Sequence, residues 1–154
     1  KEVLHPVTTV HWGETTLAAA RAIRAEGIRT LVGYFEAPGD VPRVSYYLRL
    51  DQLRHMLARD YWIDTREDIR FVRHDIVINT VPLEKIDAHL DRVASDPHQA
   101  EIMELMIHEQ YFYPDYVAYE RDFRQRVERA IQWVTHRGYK PVFYEDGFLG
   151  APEE

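Results

Sequence analysis

The sequence predicts an α/β fold: a mostly parallel sheet, or a partial and distorted (β/α) barrel, with flanking helices. Three observations carry this. The first 35 residues read as strand, helix, strand, and such a unit joins parallel strands through a right-handed crossover. The punctuation of helix, Gly, strand occurs in "AEGIRTLVGYF" and again in "HRGYKPVFYED". Between them β-rich runs alternate with segments of helical period. At 154 residues the chain fits a single α/β domain.

Each element has its own grounds. Val7 to Trp12 is a short run enriched in β-branched residues. In "GETTLAAARAIRAEG" the positions Leu17, Ala20 and Ile23 share a helical face, Thr15 or Glu14 caps the start, and Gly27 ends it. Residues 28–35, "IRTLVGYF", form the second strand. Two prolines and two turn signals make 36–47 a loop, which leads to a short helix near Asp51 to Arg59 facing inward through Leu53, Met56 and Leu57. Ile69 to Thr80 is the third strand, with His74 and Asp75 inside it and pointing to opposite faces. A helix from Leu83 to Ala94 follows, with Leu83, Ile86, Leu90 and Val93 on one face. "AEIMELMIH" is the fourth strand. The longest helix runs from Tyr119 to Arg137, with Phe123, Val127, Ile131 and Val134 as its buried stripe. Gly138 stops it, and "YKPVFYED" is the fifth strand.

Composition removes several function classes. The net charge of −7 and a pI near 5.6 disfavour nucleic acid as a partner, because phosphate neutralisation needs a basic face. No apolar stretch approaches the roughly 20 residues that cross a bilayer, so no membrane is expected, and a soluble chain has the cytoplasm as its default compartment. With no cysteine, disulfides and thiolate chemistry are excluded. No phosphate-binding glycine loop, nucleophile elbow or HExxH occurs.

Parallel α/β sheets bind ligands beyond the carboxyl ends of their strands. Polar and aromatic groups gather there: His11, Trp12 and Glu14; Tyr34 and Glu36; Asn79 and Thr80; His108 and Glu109; Glu145 and Asp146. In "ELMIHEQYFYPDY", Glu104 to Tyr116, an apolar run breaks into His108, Glu109 and four aromatic rings. An imidazole at such a break acts as a general acid or a metal ligand, or else closes the strand as a hydrogen-bonded structural group. His108 and Glu109 are the candidate catalytic pair. His11, Trp12, Tyr34, Glu36, Asn79 and Asp146 are the candidate substrate contacts, with Trp12 as a stacking surface for a sugar. Tyr111, Phe112, Tyr113, Tyr116 and Tyr119 form either a substrate wall or packing under a long loop. The remaining histidines, His55, His89, His98 and His136, read as solvated.

Two stretches carry a resemblance. "TTVHWGETTLAAARAIRAEGIRTLVGYF" and "IMELMIHEQ", the latter followed by a helix and "RGYKPVFYED", resemble in order the closing half of the polysaccharide deacetylase-like carbohydrate esterases. The resemblance implies a metal-dependent hydrolase acting on carbohydrate amides or esters, in which the strand-ending His, here His108, protonates the departing amine. It also implies a divalent metal, zinc, held by an Asp and two His that would precede Val7, where only His5 stands. Thr9 and His11 occupy the places of the family's Arg and Pro. The chain is thus expected to be the carboxyl-terminal part of a larger domain. Its exposed sheet edge would be covered by that preceding segment or by a second copy in a homodimer.

Two functions follow from these readings. One is the deacetylase-type hydrolase, for which His11, His108 and Glu109 would supply three metal ligands if their strands are neighbours. The other is a noncatalytic module that binds a carbohydrate, a small polar ligand or a partner chain through the same strand ends.

Overall fold

The computed structural model describes residues 5–143. The elements run in order β1 (Val7–Thr8), α1 (Leu17–Ala25), β2 (Thr30–Gly33), α2 (Leu50–Leu57), β3 (Tyr61–Asp64), β4 (Ile69–Arg73), β5 (Ile76–Val77), α3 (Ile86–Ala94), β6 (Leu105–Met106) and α4 (Phe123–His136). Short 3-10 turns fill several of the joints. The fold is mixed α/β with mostly parallel pairing, as expected, and no barrel closes among the described residues.

The chain divides after His74 into two compact units. In the first, four strands lie in the order β1-β2-β4-β3. β1, β2 and β4 are parallel, and β3 runs antiparallel to β4 at the edge. The expected crossover from β1 to β2 is made by α1, whose N-cap is Thr16, one residue beyond the expected Thr15. The Thr16 hydroxyl accepts a hydrogen bond from Ala19 N–H at 3.2 Å. β2 is buried along its whole length, as a central parallel strand must be. Leu31, Phe35, Leu53, Met56, Ile69 and Phe71 form the core of this unit, so the inward face expected for α2 is the observed one.

β3 corrects the sequence reading, in which residues 61–64 carried no strand. "YWID" is too short to show alternation, and it pairs only through the four-residue turn that joins it to Ile69.

The expected strand from Ile69 to Thr80 is another correction. It breaks at His74 and Asp75, both buried, and the chain leaves the four-stranded sheet there. His74 N–H still bonds Gly33 O at 2.9 Å, whereas Asp75 N–H bonds Glu104 O at 3.2 Å. The backbone thus changes partners between one residue and the next.

The second unit is built on the parallel pair β5 and β6, with Ile76 opposite Leu105 and Val77 opposite Met106. Ile76, Ile78, Ile86, Leu90, Phe123, Ala130 and Trp133 form its core. α3 and α4 are clasped by Arg129 on Asp87 and by Asp91. The Asp91 carboxylate accepts from Trp133 Nε1–H at 3.2 Å and pairs with Arg137, whose guanidinium lies over the Trp133 ring. The fourth expected strand is reduced to two residues. Residues 139–143 are not a strand, and the rest of the expected fifth strand, with Glu145 and Asp146, lies outside the described residues.

α4 starts at Phe123 rather than Tyr119, because residues 113–122 are held in successive tight turns: Tyr116 N–H to Tyr113 O, Tyr119 N–H to Tyr116 O, and Phe123 N–H to Glu120 O. Its buried face also differs from the expected one, since Ile131 is 51% exposed while Ala130 and Trp133 are buried.

Candidate functional site

His11, Trp12, Tyr34 and Glu36 belong to the first unit, and Asn79, His108 and Glu109 to the second. In the first unit, β1 and β2 are parallel neighbours, so the residues that follow them leave the sheet from the same edge. Trp12 and Gly13 both adopt left-handed backbone, with φ of 56° at each. At Gly13 a side chain is excluded twice over, because a Cβ there would come within 2.8 Å of Val44 Cγ1. This kink leaves the Trp12 indole 65% exposed, with the His11 ring edge-on to it at 5.7 Å.

Tyr46 ties the exits of the two strands together. Its hydroxyl donates to Val32 O at 2.6 Å and accepts from Val10 N–H at 3.2 Å. Tyr34 is exposed. Glu36 is engaged with Arg43, through a backbone bridge and a side-chain pair at 3.8 Å. Trp12 and Tyr34 are therefore presented to solvent, whereas the Glu36 carboxylate already has a cationic neighbour.

In the second unit the strand register itself builds a contact. Val77 lies opposite Met106, so Asn79 and His108, each two residues further along, leave their strands at the same level. His108 Nδ1 lies 2.8 Å from Asn79 Oδ1. The amide oxygen so placed can only accept, so this bond requires the proton on Nδ1 and leaves the other ring nitrogen, Nε2, for a ligand. The Tyr111 ring meets the imidazole edge-on at 6.0 Å, and Tyr116 meets Tyr111 at 5.5 Å.

Asn79 sits in a single 3-10 turn, Ile78–Thr80, closed by Val81 N–H to Ile78 O and by the Thr80 hydroxyl to Val77 O at 2.8 Å. Its carbonyl accepts from Arg126 Nη1 at 3.1 Å. The Arg126 side chain is only 15% exposed and also pairs with Asp122 and Glu120. Glu109, in contrast, is exposed at the first position of the next turn, and its side chain makes no hydrogen bond or ion pair among the described residues. The structure thus joins His108 to Asn79 and leaves Glu109 apart.

Sequence reasoning found both partners of the His108–Asn79 contact, each at a strand end, but missed their pairing and missed Arg126. The only local sign of Arg126 is its spacing of four from Asp122 on a helix, which is common on solvated faces. His89, read as solvated, is instead half-buried with Nε2 2.8 Å from Asp75 O.

Among the described residues no group of three or more His, Asp or Glu side chains could hold a metal ion. No protein-family model, curated protein or solved structure matches the chain. No helix among the described residues is long and apolar enough to cross a membrane.

Proposed function

We propose that this chain carries the acid half of a hydrolase that removes acyl groups from carbohydrate amides or esters, with His108 as the general acid. The observation that supports it most is the 2.8 Å contact of His108 Nδ1 with Asn79 Oδ1 at the carboxyl ends of two parallel strands. A histidine whose Nδ1–H is held by a neutral acceptor keeps one ring orientation in both protonation states, and this is what a proton donor needs.

In the imidazolium form, Nδ1–H stays on Asn79 while Nε2–H faces the leaving group. As the C–N bond of a tetrahedral intermediate breaks, its electron pair goes to nitrogen, which takes the proton from Nε2. His108 is left neutral, with its remaining proton still on Nδ1. The Tyr111 ring beside the imidazole and the exposed Tyr113 suit the apolar face of a sugar. The resemblance to deacetylases implies a divalent metal such as zinc, which would supply the activated water when bound. Among the described residues no group that could hold such an ion is found, and no step of the acid half is routed through it.

Turnover of an N-acetylglucosamine oligomer in the presence of zinc tests the reading. His108→Ala is expected to lower kcat by about 100-fold or more with little change in KM, since a general acid acts in the transition state. Equal turnover in the variant would remove the proposal.

A further inference from the structure

A single 3-10 turn is short, and its hydrogen-bond geometry is poorer than that of an α-helix. Asn79 lies in the middle of such a turn, and its carbonyl is tied to α4 by one group, the Arg126 guanidinium. That guanidinium has three neighbours. Nε donates to Asp122 Oδ2 at 3.0 Å and Nη2 pairs with Asp122 Oδ1 at 3.0 Å, a two-pronged hold on one carboxylate. Nη1 reaches both Glu120 Oε2 at 2.9 Å and Asn79 O at 3.1 Å. The planar fork of arginine can grip one carboxylate from two nitrogens and still reach a further acceptor, a geometry that the single nitrogen of lysine cannot reproduce.

We infer that Arg126 is the positioning residue of this site: by clamping the Asn79 backbone it fixes the Nδ1-protonated tautomer and the direction of His108. The catalytic consequence rests on the reading of His108 as an acid, whereas the positioning concerns this chain alone. Asp122 serves the same end, by gripping the fork at Nε and Nη2.

The test is the long-range 15N–1H spectrum of the His108 ring in the intact chain, at a pH where the ring is neutral. The parent is expected to show one tautomer, protonated at Nδ1. Arg126→Met and Arg126→Lys are both expected to lose that single-tautomer pattern while far-UV circular dichroism keeps its helical signal, and Arg124→Met, on the exposed side of α4, is expected to keep it. Should Arg126→Met fail to fold, Asp122→Asn, which loosens the fork without touching Asn79, carries the same expectation. A parent ring not protonated at Nδ1 would overturn the inference, and so would a single Nδ1–H tautomer retained in the folded variant. Turnover measured alongside separates the two readings. Tautomer loss in a chain whose turnover does not depend on His108 leaves Arg126 in its role and removes the proposed function. Turnover that depends on His108 but coexists with an unmoved tautomer in Arg126→Met does the reverse.

Discussion

Tyr46 shows how much one side chain can carry. Its ring packs among Phe35 and Phe71 while its hydroxyl bridges Val10 and Val32. Burial pushes its phenol up to about 12, partly offset by the Val10 N–H that favours the anion. The neighbouring Tyr47 is pushed higher still, by burial first and then by its bond to Asp64. A folded-state pKa above the unfolded value of about 10 contributes stability that is complete below about pH 10 and is lost as pH rises through the folded value. The urea midpoint of the chain is therefore expected to fall between about pH 10 and 12. In Tyr46→Phe that fall should be shallower, at a cost of about 1 kcal/mol at neutral pH for the lost bonds. At the candidate site, Asn79→Leu removes the acceptor of His108 Nδ1–H. Turnover is expected to drop by about 10- to 100-fold with the melting temperature little changed, because both side chains are half-exposed. An unchanged rate would show that the contact does not serve the acid.

At the scale of elements, α4 is the instructive case. The sequence stripe Phe123, Val127, Ile131, Val134 drifts around the helix. With about 100° per residue, Ile131 lies roughly 80° from Phe123, whereas Ala130 and Val134 lie within about 20° of it. The observed face follows the second set and widens to Trp133, because the Asp91 carboxylate gives the indole N–H a partner. Ile131→Ala is accordingly expected to cost less than about 1 kcal/mol and Trp133→Ala about 3 to 5 kcal/mol by urea unfolding. The reverse order would place the helix face wrongly. Helices with a clean period, α1 and α3 among them, were legible from the sequence. β3 was not, because four residues carry too little pattern. The break at His74 and Asp75 was hidden between apolar runs that continue on both sides, although three consecutive polar residues, Arg73 to Asp75, marked it.

For the whole molecule, the fold class was legible because parallel βα units repeat a strong local grammar. The division into two units was not, since it depends on which strand each backbone group bonds across the chain. The candidate site was half legible: strand ends could be listed from sequence, but the register that brings Asn79 to His108 depends on the pairing of β5 with β6. The two hydrophobic cores share no residue. Phe71→Ala, in the first core, is therefore expected to speed hydrogen exchange chiefly for amides of residues 5–74 and to leave those of α3 and α4 nearer to parent rates. Uniform acceleration throughout the chain would show that the two cores open as one.

The antiparallel edge strand β3 also bears on the order of assembly. It meets β4 across a four-residue turn, and α2 lies just before it, so these three elements pair at short separation along the chain. β1 and β2 must each find a parallel neighbour across a crossover, which costs more chain entropy before any contact forms. The hairpin with α2 is thus expected to nucleate the first unit, with β2 docking on it afterwards. Truncations in the hairpin such as Ile69→Val should slow refolding, whereas truncations on β1 such as Val7→Ala should act mainly by hastening unfolding. An edge strand that looks peripheral in the finished sheet is in this sense its oldest part.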